Sequence, residues 1–307
     1  MTKVSGLLLI DKPEGWTSHD VVAKTRNLAS TRRVGHAGTL DPMATGLLVL
    51  GLNNATKLLT FLVGESKTYL ATIRLGASTI TDDRESEYLE LASASALALV
   101  DEAAIKLAMS KLTGEIMQVP SSVSAIKVNG ERAYAKVRGG DEVKLAARPV
   151  TVSRFEILSA PRPVKDGDHE FVDFDAIIDC SSGTYIRALA RDLGAALQVG
   201  GHLTALRRTR VGAYNVASAT ELSSINPQDL PILNSADAAR TQFAIRELSA
   251  TEVIDLRHGK RVSIGEIQSP ERSQVIAGFS PDGNLVAMLE ISGKQLKSAV
   301  VFIEESE

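Results

Sequence analysis

Several residue types are scarce in this chain, and each shortage excludes a class of protein. The 307 residues include one cysteine, Cys180, which excludes an internal disulfide framework and a cysteine-based zinc site. A single thiol fits a reducing compartment. No apolar stretch approaches the roughly 20 residues of a membrane-spanning helix, and the run at 7–10 is too short for a signal peptide. We therefore expect a soluble, cytoplasmic protein.

An excess of one charge is also missing. The chain has 34 basic and 37 acidic residues, a formal net charge of −3. Residues 1–241 hold 27 of each sign, and residues 242–307 hold 7 basic and 10 acidic residues. Composition alone thus gives no indication of nucleic-acid binding. The five histidines show no zinc spacing, so no metal site is expected.

Hydrophobic patterns predict a mixture of strands and helices. The short apolar run at 7–10 is typical of a buried strand, and the alternation over 67–75 predicts a strand with Tyr69 on one face. Residues 97–112 have the pattern of an amphipathic helix. The acid-rich stretch 82–90 is interpreted as a solvated loop.

The end of the chain has a different character. Prolines and small polar residues interrupt the periodicity around 224–244. Strand-like runs follow at 275–279, 285–291 and 299–303, with a Pro-Asp-Gly turn between the first two. We therefore predict two domains, residues 1–241 and a small β-rich domain at 242–307.

The most informative segment is 35–48, which contains three glycines, one acid, one histidine and one proline. Gly35, Gly38 and Gly46 permit backbone conformations or close approaches that a side chain would block. Asp41 precedes a proline, which favours extended geometry at Asp41. Such a loop holds its one carboxylate in a fixed place, as a catalytic acid, a nucleophile or a metal ligand requires. Plain turn formation is the alternative.

A second unusual cluster, SGTYIR at 182–187, follows an apolar strand and opens a helix. On an extended segment, Tyr185 and Arg187 would share a face. An arginine that points at a buried carboxylate orients it and keeps it ionised. The alternative is a strand-to-helix turn with a surface arginine.

Three small basic groups lie on an otherwise neutral region: 32–33, Lys127 with Arg132, and 207–210. They are suited to gripping phosphates, although a solvated surface is the alternative for each one. Tyr69 is either a core residue or a platform on which a base stacks.

Six motifs occur together in one order. This combination resembles the TruB family of pseudouridine synthases, which act on uridine 55 in the TΨC loop of tRNA. The resemblance extends from about residue 6 to 212. The motifs are KPEGWTS at 12–18, GHAGTLDPMATG at 35–46, KTY at 67–69, QVPSSVSAIK at 118–127, SGTYIR at 182–187 and LRR at 206–208.

The resemblance implies roles for individual residues. Asp41 matches the catalytic aspartate, Tyr69 the tyrosine that stacks on the target base, and Arg187 the arginine that pairs with the catalytic carboxylate. His36 matches a histidine that contacts the tRNA loop, and Lys12, with the proline after it, belongs to a motif that supports the active-site loop. The residues expected to bind substrate are His36, Tyr185, Lys12, Lys127, Arg207 and Arg208.

The resemblance also implies a fold and a reaction. The fold is α/β (α+β type), a pseudouridine synthase fold around a mixed, largely antiparallel sheet, with a PUA-like RNA-binding domain at 242–307. No organic cofactor and no metal is expected, and the partner is tRNA, bound by a monomer. A tRNA-folding factor with little isomerase activity is the rival interpretation. The chain lacks a long basic tail and large insertions, which favours a stand-alone bacterial-type enzyme over a guide-RNA-dependent relative.

Overall fold

The computed structural model describes residues 5–121, 145–269, 271 and 273–302, together with the backbone of 127–128 and 131–132. The strands are β1 (Gly6–Lys12), β2 (Val34–His36), β3 (Thr45–Leu52), β4 (Lys67–Leu75), β5 (Ala77–Thr79), β6 (Tyr88–Leu91), β7 (Gly114–Gln118), β8 (Lys127–Val128), β9 (Glu131–Arg132), β10 (Arg148–Ile157), β11 (Arg162–Asp166), β12 (His169–Cys180), β13 (Gly201–Val211), β14 (Tyr214–Asn215), β15 (Thr220–Glu221), β16 (Ile232–Asn234), β17 (Ala244–Glu247), β18 (Val262–Ser263), β19 (Ile276–Phe279), β20 (Leu285–Ser292) and β21 (Gln295–Val301).

The α-helices are α1 (Ser18–Leu28), α2 (Leu59–Leu62), α3 (Ala94–Leu97), α4 (Glu102–Lys111), α5 (Ile186–Ala196), α6 (Ser235–Gln242) and α7 (Ala250–Arg257), and short 3-10 turns lie at Asn53–Lys57, Val216–Ser218 and Leu222–Ser224. In the part of the chain described, every helix is too short or too polar to cross a membrane.

The chain forms two compact units. The first consists of Met1–Pro42, Gly46–Glu65 and Val211–Glu307, and the second of Met43–Thr45 and Ser66–Arg210. The predicted boundary between residues 241 and 242 lies inside the first unit, before the last residue of α6, and it stays a prediction.

In the first unit, two apolar strands carry the elements around residue 41. Strand β1 pairs antiparallel with β3, from Gly6 opposite Leu52 to Lys12 opposite Gly46. The far edge of β1 meets β16 antiparallel and β15 parallel. Most residues of β1 and β3 are buried, as expected for strands covered on both faces. The strand predicted at 7–10 is therefore confirmed.

The β-rich character predicted for the C-terminal region is confirmed. Its sheet has the strand order β17-β19-β20-β21-β18, and β19 and β20 are joined by a turn in which Gly283 has a φ of 80°. The third strand begins at Gln295, earlier than predicted. This sheet contributes Phe243, Phe279 and Met288 to a core that also contains Leu7 and other residues of β1 and β3.

In the second unit, β4 lies between β13 and β12, followed by β10 and β7. Strands β4 and β12 are antiparallel, with Lys67 opposite Cys180. The alternation predicted for β4 is confirmed, because Tyr69 and Ile73 are buried while Leu70 is exposed. The sheet pairings described in the two units are mostly antiparallel, as expected.

The helix predicted at 97–112 is partly wrong. Helix α4 begins at Glu102, and the side chain of Asp101 accepts a hydrogen bond from Ala104 N at 2.7 Å. Asp101 is therefore an N-cap, which starts a new helix by satisfying a backbone donor. Residues 94–97 form the separate short helix α3.

Helix α5 packs closely on the strand that follows it. A Cβ on Gly194 would lie 2.1 Å from the carbonyl carbon of Gly200 and from the nitrogen of Gly201. Only glycine permits this approach, so the packing fixes α5, and with it Arg187, against the start of β13.

Candidate active site

Asp41 lies half-buried in the connection between β2 and β3. These strands are antiparallel neighbours, with His36 opposite Leu50. Gly38 has a φ of 93° and Gly46 a φ of 100°, values that favour glycine. The prediction that glycines shape this loop is confirmed at these two positions.

Lys12 anchors the loop that contains Asp41. Its side chain has no exposed surface, and Nζ donates to the carbonyl oxygens of Pro13 at 2.9 Å, Trp16 at 2.6 Å and Pro42 at 3.3 Å. The backbone NH of Gly15 also donates to Pro42 O, at 2.9 Å. A buried ammonium must be hydrogen-bonded to be tolerated. Lys12, predicted among the substrate-binding residues, therefore holds the residue that follows Asp41 and offers RNA no exposed side chain.

Ser18 fixes the other side of Asp41. Its hydroxyl donates to Leu40 O at 3.1 Å and accepts from Leu40 N at 2.8 Å, and the side chain of Ser18 is buried. Residues on both sides of Asp41 are thus tied to the segment that links β1 to α1. Positioning of this kind is what a catalytic group requires.

We expect Lys12→Met to loosen the loop, because Met fills similar space but donates no hydrogen bond. Each lost bond to a charged group costs roughly 1.5–3 kcal/mol, so the midpoint of thermal unfolding should fall and turnover should fall at least about tenfold. Lys111→Met, at an exposed position of α4, is the control. A Lys12→Met protein with wild-type turnover would contradict the anchoring role.

His36 ends β2 on the same loop and is half-buried. Its ring lies edge-to-face against His19 of α1, with 5.9 Å between the ring centroids and 74° between the planes. Aromatic rings favour this geometry. The tRNA contact predicted for His36 stays a prediction.

In the second unit, Arg187 lies in the first turn of α5 and is 5% exposed. Its Nη1 donates to Thr81 O at 2.7 Å and lies 3.5 Å from Asp83 Oδ2. Asp83 is 1% exposed, and its other carboxylate oxygen accepts from Glu85 N at 2.9 Å. This buried ion pair holds the guanidinium in one orientation. The pairing of Arg187 with Asp41 stays a prediction.

A second ion pair lies one helical turn along α5. Arg191 Nη1 lies 3.2 Å from Asp82 Oδ2, which also accepts from Ser121 Oγ at 2.6 Å. Arg191 Nη2 donates to Val119 O at 2.7 Å. Burial raises the pKa of Asp82, and the bond from Ser121 and the charge of Arg191 oppose that rise.

The solvated loop predicted at 82–90 is therefore wrong in two respects. Asp82 and Asp83 are buried against arginines, and Tyr88–Leu91 forms β6. Sequence reasoning missed both acids. A signal was present in the sequence: Arg187 and Arg191 are four residues apart and therefore lie on one face of a helix. Two arginines on one face can pair with two consecutive acids.

Gln118 opens the motif at 118–127, and sequence reasoning gave it no role, although it holds Tyr185. Its amide nitrogen donates to Tyr185 O at 3.1 Å, and its amide oxygen accepts from Tyr185 N at 2.8 Å. Gln118 is 2% exposed. Tyr185 is the N-cap of α5 and Arg187 is already helical. The extended segment on which Tyr185 and Arg187 would share a face is therefore wrong.

The remaining predicted residues have different surroundings. Tyr69 is 7% exposed on the buried face of β4. On β13, Arg208 is 1% exposed, whereas Arg207 is half-buried and its Nη1 lies 3.4 Å from Thr45 Oγ1. Of the two arginines, Arg207 thus keeps more side-chain surface for an RNA phosphate. The side chain of Lys127 lies outside the described residues.

Known families match nearly the whole chain. The model for the N-terminal domain of TruB family pseudouridylate synthases matches residues 26–186. The model for the C-terminal domain of tRNA pseudouridylate synthase B matches 187–239, and that for the C-terminal domain of tRNA pseudouridine synthase II matches 243–303.

Individual proteins agree with these matches. The tRNA pseudouridine synthase B of Arthrobacter sp. (strain FB24) is 56% identical over 99% of this chain and 98% of its own length. That of Leifsonia xyli subsp. xyli (strain CTCB07) is 55% identical over 97% of this chain and 96% of its own.

Solved structures share the fold at low sequence identity. An H/ACA RNP bound to a substrate RNA containing 2′-deoxyuridine matches with a TM-score of 0.70 and 23% identity, over 97% of this chain and 85% of that one. A Cbf5-Nop10-Gar1 complex matches with a TM-score of 0.69 and 24% identity, over the same shares. With the family models and these relatives together, the chain belongs to the TruB family of pseudouridine synthases.

Proposed function

We propose that this protein converts uridine 55 in the TΨC loop of tRNA to pseudouridine. The observation that supports this most is the loop of Asp41, whose backbone is tied down on both sides by Lys12 and Ser18. The names of the relatives, tRNA pseudouridine synthase B, support the same reaction and substrate class.

The reaction is an isomerisation. The N1–C1′ glycosidic bond breaks, the uracil rotates, a C5–C1′ bond forms, and the hydrogen at C5 leaves as a proton. A uridine in a folded loop is out of reach, so the nucleotide is flipped into the site. Nothing is oxidised and no group is donated. We expect no metal and no organic cofactor.

Asp41 acts as a carboxylate. Three routes start from this form: attack on C1′ of the sugar, addition to the base, and removal of the C2′ proton to give a glycal. In each of them Arg187 stabilises the carboxylate. Tyr69 provides a stacking surface for the base, a contact worth roughly 1–3 kcal/mol in other proteins.

Both predicted domains take part in binding the tRNA. His36, Tyr185, Lys127 and Arg207 contact the RNA, whereas Lys12 acts through the loop that it anchors, and buried Arg208 supports its neighbours on β13. The PUA-like domain at 242–307 holds the acceptor side. The enzyme works as a monomer in the cytoplasm, where its substrate is found.

Tritium release tests the proposal directly. A tRNA transcript labelled at C5 of its uridines should release about one equivalent with the wild type, because C5–C1′ bond formation at one position expels one hydrogen. A transcript with cytidine at position 55 should release none. Tight tRNA binding without release would instead favour a tRNA-folding factor.

A further inference from the structure

Trp16 is the only tryptophan in the chain, and 38% of its surface is exposed. It lies in the loop between β1 and α1, directly before Thr17, the N-cap of α1. An aromatic side chain stabilises a protein mainly through the area that it buries. The exposure of Trp16 therefore suggests a role outside the core.

The backbone of Trp16 is fixed to the loop that contains Asp41. Lys12 Nζ donates to Trp16 O at 2.6 Å and to Pro42 O at 3.3 Å, so one ammonium joins the two segments. The NH of Gly15 donates to Pro42 O as well, at 2.9 Å. The backbone carbonyl of Trp16 therefore lies close to that of Pro42, the residue that follows Asp41. A ring carried by such an ordered backbone is pre-organised, as expected of a binding residue.

A structural role for the ring would be the hydrophobic staple. In that motif the residue before the N-cap packs against the fourth helical residue, here Val21. Val21 is fully buried, yet more than a third of Trp16 remains outside. Among the described residues, none accepts a hydrogen bond from the indole nitrogen. A staple would explain neither the exposed surface of the Trp16 ring nor its indole NH group.

The segment that contains Trp16 has a composition that suits a nucleic acid. Apart from the buried Lys12, residues 12–36 contain four basic and two acidic residues, although the whole chain is net negative. Arg32 and Arg33 are exposed, as is His19, whose ring meets that of His36. Proteins bind single-stranded segments with basic side chains that contact the phosphates and aromatic rings that stack on the unpaired bases.

We propose that Trp16 stacks on a nucleobase of the RNA substrate, beside the nucleotide that enters the site of Asp41. This inference rests on the proposed function and adds a substrate contact to it. The stack recognises the flat face of a base, so it tolerates different bases at that position. Its role is to hold the loop of the RNA while the target uridine is flipped.

Fluorescence gives the first test, because emission excited at the red edge of the absorption band comes from Trp16 alone. The Asp41→Asn protein is titrated with an unlabelled tRNA transcript, which it should bind without turnover. The emission should be quenched in proportion to complex formation, and acrylamide should lose access to the ring. If filter binding shows the complex while the emission is unchanged, the inference is wrong and the proposed function stands.

Kinetics give the second test, with tritium release as the readout. Trp16→Ala should raise KM about tenfold, equivalent to about 1.4 kcal/mol, with kcat within about twofold of the wild type. Trp16→Phe keeps a ring and should stay within about threefold in KM. Leu99→Ala is the control, since Leu99 is 78% exposed and should change neither constant.

The remaining outcomes are also decisive. A Trp16→Ala protein that unfolds at lower temperature and loses kcat at an unchanged KM would make Trp16 a structural residue and overturn the inference. A wild type that neither binds tRNA nor releases tritium would overturn the proposed function, and the inference with it.

Discussion

Asp41→Asn is expected to abolish tritium release while tRNA binding persists. Asparagine has the same shape but no negative charge, and none of the three routes proceeds from a neutral amide. Removing an essential catalytic group typically costs 10⁴ or more in turnover, so we expect a loss of at least about 10³-fold. Single-turnover release and filter binding, measured on the same protein, separate the two effects.

The loop itself should survive this substitution. Its anchors use the Lys12 ammonium, the Ser18 hydroxyl and backbone groups of Leu40 and Pro42, and none of these is the Asp41 side chain. Thermal unfolding should therefore match that of the wild type. Asp20→Asn, which removes the exposed acid of the α1 capping box, is the matched control and should keep full turnover. An Asp41→Asn protein within tenfold of wild-type turnover would remove Asp41 from the mechanism.

Asp83→Asn is expected to reduce turnover by about 10²-fold and to lower the unfolding temperature. The Arg187 guanidinium and the Asp83 carboxylate are both buried, and their closest atoms are 3.5 Å apart. Removing one member of a buried pair typically costs 3–5 kcal/mol, and it also frees Arg187 to leave the orientation in which we propose that it acts. Rate measurements at saturating tRNA, together with thermal unfolding, test both effects.

A double variant distinguishes stability from catalysis. Asp83→Asn with Arg187→Met removes both charges, and neutral replacement of a buried pair is often well tolerated. This protein should recover part of the lost thermal stability and stay inactive. Glu102→Gln breaks an exposed pair with Lys106 and should change neither quantity, because surface pairs contribute little. Full activity of the Asp83→Asn protein would show that Arg187 needs no partner at position 83.

Local features of this protein were predictable because their causes lie within a few residues. The alternation in β4, the hairpin turn at Gly283 and the glycine-shaped loop around Asp41 all follow from backbone preferences of short segments. The order of the motifs, from KPEGWTS to LRR, then identified the family.

The acidic stretch shows where such reasoning ends. Charge composition predicts that residues 82–90 are solvated. Asp82 and Asp83 are nevertheless buried, because Arg187 and Arg191 neutralise them. These arginines come about a hundred positions later, since Thr81, next to the two acids, and Arg187 are 106 residues apart in the chain. The Coulomb energy that decides burial depends on distance in space and not along the chain.

The sequence by itself determined the secondary structure of the principal strands, the glycine-shaped loop around Asp41 and the family. The tertiary structure decided what each charged side chain does: Lys12 supports a loop from a fully buried site, Asp83 holds Arg187, and Trp16 remains partly exposed. The reason is that propensity and periodicity act between near neighbours, whereas burial and ion pairing depend on segments that meet only after folding.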